Sequence, residues 1–532
     1  MMHSPGISIR TINCFVVACF WALWMSCDSN AYQDQSAEKV VVQWDEAERS
    51  VVDGVEIIHL INARVRQGET FLRADRMIDE GANVRLFTGN VRIIERGDTV
   101  YADVVRYDSD LKIAYASGTI HMTDGAVSLR STSAVYYSDE KRTVFDTGVQ
   151  YADSLTLLTS HRGVYWSEKS QANFSGDVRL RQKDLYVEAD SVSYSREEDV
   201  FFAEGNVVVD RLDAVEEDAV PEATGLEDAG PEAVGTVEID PNSWVSASNE
   251  ILGFVDAEAR SLMFSDIVTH DGRVDSSWVF GSVLLLRTRD GESGTDSLMV
   301  MAQSMILSRS AGGDKVIAMD SVSVVETNFS VVGDSLVYDR SGRNQDDRFE
   351  TRMFGDPIAW LADSQITADT LQVWGRASSN DSLLASGNVF VASLDTTINK
   401  IQQLKGRSLT AYFERDTLRT MKVSPNAEAL YYIEPDPGEP TVAIHSTADR
   451  IEFTFEEGTI VDVRAVSGVQ GTFYPENLID RAQDLVGYAW EPDRRPKRKE
   501  MLDELSRRNN YRIDRKRSIM VLVDPSESEI RE

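Results

Sequence analysis

YADVVRYDSD (residues 101–110), STSAVYYSDE (131–140), SHRGVYWSEK (160–169) and EADSVSYSREED (188–199) are four versions of one phrase, in which Tyr107, Tyr136, Tyr165 and Tyr194 recur at one even interval. Between them runs a second phrase: FTGNVRII, ASGTIHM, DTGVQY, FSGDVRL and AEGNVVV, whose glycines are Gly89, Gly118, Gly148, Gly176 and Gly205. Both markers share a period of about 29 residues, and a repeat of this length across residues 74–210 is one supersecondary unit. Within each phrase the apolar residues recur at every second position, as in Val91 and Ile93, Ile120 and Met122, or Val178 and Leu180. That is the pattern of a strand with one dry face. The intervening Arg92, His121 and Arg179 then face solvent, and Asp108–Asp110 and Asp139–Lys141 supply the turns. No proline lies between Pro5 and Pro221, so nothing in this stretch removes a donor from the ladder.

A looser series follows: VSASNEILGF, MAQSMILSRS, VVGDSLVYDRS, ITADTLQVWG, KGRSLTAYFERD and HSTADRIEFTFEEG, with LASGNVFVAS repeating the glycine phrase around Gly387. The fold class this predicts is all-β: an elongated open β-jellyroll of stacked strand-pair repeats, in two arrays over residues 50–210 and 244–475. A single unit cannot bury its dry face, so successive units share one interior. Residues 211–243 separate the arrays, and the stretch 210–241 holds 11 acidic residues, one arginine, three prolines and no aromatic. Such a composition buries too little to order itself. It reads equally as a linker and as an acidic insertion in one continuous sheet.

Residues 1–31 read as an export signal, with Arg10 before the apolar run TINCFVVACFWALWMSC and small residues at Ser29 and Ala31 ahead of a cut after Ala31. Lipid modification of Cys27 and an uncleaved anchor are the alternatives. All three cysteines (Cys14, Cys19, Cys27) lie in this leader, which leaves no disulfide for the rest. The expected destination is the periplasm.

The formal net charge of −34 argues against nucleic-acid binding, which requires concentrated Lys and Arg. Against that background the tail, residues 476–532, stands out: from Arg494 to Arg517 there are 11 basic and four acidic residues. PKRKEMLDELSRR suggests a short helix and SIMVLV a docking segment; the whole is either a solvated charged end or a contact for anionic headgroups.

The ADxxxY phrase followed by GxVx and an apolar residue, repeated behind a signal-like leader, resembles the OstA-like family of periplasmic lipopolysaccharide-transport proteins, LptA and the amino-terminal domain of LptD. The resemblance spans roughly residues 50–475 and is clearest over 74–209. It implies a jellyroll open at both ends that holds lipid A acyl chains inside and stacks end to end, by strand addition, with other jellyroll proteins or with copies of itself, so bridging inner and outer membranes. The chain lacks the further strands that a complete outer-membrane translocon of the LptD type requires.

On this reading Val91, Ile93, Ile120, Met122, Val149, Tyr151, Val178, Leu180, Val207 and Val209 line a lipid path, or else form an ordinary core. No metal or cofactor is expected: His59, His121, His161, His270 and His445 are scattered. Asp103, Thr132, His161 and Asp190 occupy matched positions one repeat apart, and residues that recur with the fold belong to turn and edge chemistry and not to a catalytic dyad. No nucleophile elbow or phosphate loop is present, so no enzyme is expected. The rival readings are a solid structural or adhesive β-solenoid and a polysaccharide-active β-helix with a carboxylate cluster.

Overall fold

A computed structural model of the chain describes residues 40–212 and 259–509 apart from short stretches within them. The signal segment, the acidic stretch and the SIMVLV segment lie outside the described residues. Among those described, 32 strands join in one antiparallel sheet, each hairpin adding to the last. No helix among them is long and apolar enough to cross a membrane.

Most strands of the repeat are bent at mid-length. In Val84–Glu95, residues 84–88 pair with Val104–Asp108 and residues 91–95 with Asp98–Ala102, with a register shift between Thr88 and Val91. The shift comes from Gly89 and Asn90, both at positive φ (75° and 44°), which turn the strand sharply. Gly has no Cβ to clash there, and Asn is among the few other residues that tolerate it. The same pair of positions bends the sheet at Gly176–Asp177, Gly205–Asn206, Gly281–Ser282 and Gly387–Asn388.

Bending these strands at one level folds the sheet into two facing arms. The first arm carries Tyr107, Tyr136, Tyr165 and Tyr194; the second carries Val91, Ile120, Val149, Val178 and Val207. Alternating side chains from both arms fill one core, which runs without a break from Ala63 to Ile451. Tyr151 of the second arm meets Phe174 and Tyr194 of the first edge-on, each with ring centroids 5.7 Å apart.

The acidic stretch does not interrupt the ladder. Val200–Leu212 pairs directly with Ala259–Asp271, from Val200↔Asp271 to Leu212↔Arg260. The chain leaves and re-enters at the free end of the second arm, and the two arrays share one sheet.

The C-terminal segment, read from sequence as one charged tail, is in its described part a docked strap. Residues 476–509 run back along the outer face of the second arm. Leu485 packs with Phe390, Ala392, Leu430 and Ala443, and Met501 of the helix at 498–509 packs with Val208, Phe264, Leu284 and Met299. Two buried glutamines read the strap backbone as a strand would. Gln403 accepts from the Leu485 amide (2.9 Å) and Gln365 from that of Glu491 (2.8 Å), while Gln365 donates to the Ala489 carbonyl (3.0 Å). Composition hid this docking, because few apolar residues carry it and the basic ones are conspicuous.

Candidate functional site

The ten residues singled out from the sequence all belong to the interior: nine are buried, and Ile93 is half-buried against the same core. Sequence reasoning missed the opposing wall, formed by Val105, Phe145, Phe174, Phe201 and the repeat tyrosines of the first arm. Its signal was the even tyrosine spacing itself, which places one aromatic per unit opposite the aliphatic row.

The interior is nearly full. A cavity of about 40 Å³ lies between the arms, lined by Ile93, Val100, Ala116, Met122, Tyr136 and Phe145 among others. A void of roughly 150 Å³ is what takes up a benzene, so an acyl chain enters only if the arms part and its methylenes replace protein side chains. That exchange swaps apolar contact for apolar contact and costs little in hydration.

What holds the arms together at their free ends is polar. Glu95 at the second-arm tip contacts Lys141 and accepts a hydrogen bond from Tyr136 (3.4 Å), both on the first arm. Further along, Asp124 pairs with Arg196 (3.4 Å), and Asp153 accepts from Tyr194 (3.2 Å). Gln182 donates to Asp199 (2.6 Å), Asp184 pairs with Arg309 (2.7 Å), and Arg211 with Asp275 (2.5 Å). These clasps form a seam along the mouth, one or two per repeat unit. The ion pairs among them are partly buried, with side chains 15–35% exposed, and because they are spaced along the repeats the seam can open in steps while the apolar interior drives it shut.

Burial raises the phenols of Tyr136, Tyr151 and Tyr194 well above the usual tyrosine range and pushes Tyr165 up to about 12, so all four remain neutral donors at neutral pH. Asp98, half-buried at the mouth, has its carboxyl raised chiefly by burial, against a hydrogen bond from Ser167 that lowers it. A raised acid stabilises the fold fully below the ordinary carboxylate pKa, and this is lost as pH rises through its folded value. Asp98→Asn is therefore expected to stabilise the protein at pH 7 by under about 1 kcal/mol, because the site is partly wet. Urea midpoints of both proteins between pH 4 and 7 check this, and the gain should shrink toward the acid end.

The matched positions Asp103, Thr132, His161 and Asp190 sit at the bends and not at the hairpin turns. Asp103 accepts from the Thr119 amide beside Gly118 (2.8 Å), Asp190 from Asn206 (2.8 Å) and Asp75 from Asn90 (2.8 Å), while Thr132 meets Thr147 (2.8 Å). Each is a buttress for its own corner. The histidines likewise have structural partners: Ser50 for His59, Ser128 for His121, Ser277 for His270 and Glu428 for His445. No group of three His, Cys, Asp or Glu among the described residues is placed to hold a metal.

No curated protein matches the chain. A two-armed bent sheet with an apolar interior, buttressed glycines at its bends and one even period is the setting in which residues 37–216 match the OstA-like protein family.

Proposed function

We propose that the chain is a periplasmic lipid carrier that takes lipopolysaccharide acyl chains between its two arms and passes them along an end-to-end array bridging the inner and outer membranes. The observation that carries this reading is the coincidence of the OstA-like match with an unbroken apolar interior whose mouth is spanned by a row of polar clasps. Each methylene buried is worth about 0.8 kcal/mol, so several acyl chains gain enough to part the arms, and an open mouth leaves the saccharide in water.

Strand addition is supported at both ends of the sheet. The last strands, Thr459–Val466 and Gln470–Tyr474, expose Ile460, Val461, Val463 and Phe473, and near the first edge Trp44, Val51 and Ile58 are exposed. An exposed apolar edge is an aggregation hazard unless another sheet takes it up.

Photo-crosslinkers at Ile93, Met122 and Val178 are expected to label lipopolysaccharide in cells, and those at Arg92 and Arg179 to label it weakly. Labelling confined to the outward pair would sink the reading. The nearly filled interior favours a second reading, a solid envelope scaffold, and a folded protein that labels from none of the five positions would support it.

A further inference from the structure

The outward residues of the second arm form a pattern that the interior does not explain. Following the cross-strand register, Arg64 lies opposite Arg73 and Arg73 opposite Arg92; the row continues through Tyr101 and His121 to Arg130, and three strands on reaches Arg179. Nine neighbouring strands at about 4.8 Å give a line of roughly 38 Å. Five arginines stand in it, in a chain of net charge −34. Arg66 and Arg181 are exposed two positions farther toward the arm tip.

The protein neutralises the two ends of this row, where Glu188 also lies opposite Arg179, and among the described residues leaves its middle without an ion-pair partner. Arg64 pairs with Asp45 (3.3 Å) and Arg179 with Asp177 (2.8 Å), but Arg73, Arg92 and Arg130 are exposed and have no ion pair among the described residues. The corner carboxylates Asp75 and Asp103 lie along one side, each engaged with its own bend. Like charges directly opposite on a sheet are destabilising, so Arg64, Arg73 and Arg92 in direct succession favour an external anion. Phe71 and Tyr101 are exposed on the same face, with Arg92 over the Tyr101 ring at 5.5 Å. Aromatic side chains among arginines suit the boundary between headgroup and acyl chain.

The row also lies where the second arm is uncovered. The strap occupies the later half of that face, from Val208 onward, and between residues 494 and 508 it brings seven Lys or Arg against three acidic residues. The strap as a whole is neutral, with eight acidic and eight basic residues between 476 and 508, so the excess of positive charge on this face is the arginine row on its uncovered half. We propose that this outer face of the second arm docks on a bilayer surface rich in anionic phosphate headgroups, with the arginine row as its reader. Guanidinium groups hold phosphates in two-point contacts, and a flat surface supplies many phosphates at once.

The test is co-sedimentation of the full chain with phosphatidylglycerol vesicles, with phosphatidylcholine vesicles and with inorganic phosphate as competitor. The wild type is expected to bind the anionic vesicles alone, with binding weakened by salt. Arg73→Gln/Arg92→Gln/Arg130→Gln should bind about 100-fold more weakly, each lost charge near an anionic surface being worth about fivefold. Arg76→Gln/Arg85→Gln/Arg162→Gln, an equal charge change on the first arm, should stay within about twofold of wild type. Circular dichroism should be the same for all three proteins. The proposal is overturned by absence of binding to the anionic vesicles, by equal losses in both variants, or by displacement with millimolar inorganic phosphate, which would mark a site for the free anion. None of these outcomes bears on labelling from the interior, so the carrier reading stands or falls separately.

Discussion

Gly118→Ala should cost about 3–4 kcal/mol of stability, whereas Gly125→Ala, in the hairpin turn that follows, should cost about 1–2 kcal/mol. Both glycines hold the left-handed backbone, with φ of 92° and 87°. An added methyl at Gly125 meets open space, but at Gly118 it would overlap the Asp103 carboxylate. Asp103 has no easy retreat, because it holds the Thr119 amide that follows the bend. The difference between the two variants therefore isolates the buttressed corner from backbone strain alone. Urea unfolding followed by circular dichroism measures it, and equal losses would show that the carboxylate yields and the corner is not a rigid joint.

Asp153→Ala should be comparably damaging, at about 3–5 kcal/mol, through a different mechanism. One oxygen of Asp153 accepts from Tyr151 (2.7 Å) and Tyr194 (3.2 Å), and the other from the amides of Leu155 (2.9 Å) and Thr156 (2.7 Å). The hairpin turn of the second arm and the clasp to the first arm thus share a single side chain. Removing it strands a phenol that is 1% exposed, and an unsatisfied buried donor costs about 1–3 kcal/mol before the turn itself is counted. Tyr194→Phe removes the clasp and the acceptor of the buried Thr156 hydroxyl (3.2 Å) but leaves the turn amides held, and should cost about 1–2 kcal/mol. Thermal denaturation of the two variants decides the matter. Similar losses would mean that Asp153 serves the clasp and contributes little to its own turn.

The two variants also mark what could and could not be read from the chain before folding. Period, strand direction and inward set were legible because neighbouring strands impose an alternation at every second position and neighbouring units a repeat of constant length, both written locally. The corner glycines were visible in the same way, although their carboxylate partners, about 15 residues earlier, read as turn residues because a bend inside a strand has the same residue chemistry as a turn between strands. The seam was not legible. Tyr136 meets Glu95 and Arg196 meets Asp124 at separations of 41 and 72 residues, set by how far the two arms twist past each other and not by the repeat. The strap escaped for a related reason: Met501 and Leu505, one helical turn apart, are the only apolar pair by which its helix announces a buried face.

The uninterrupted pairing of Leu212 with Arg260 has a further consequence. Because the two strands close on each other whatever joins them, the connection between them is free to vary in length. Loop closure costs only about 0.6 kcal/mol more per doubling of length, so adding residues between two strands that are already paired taxes the fold little. That junction is the natural place for this architecture to acquire cargo, tags or new chain ends without disturbing the stack on either side.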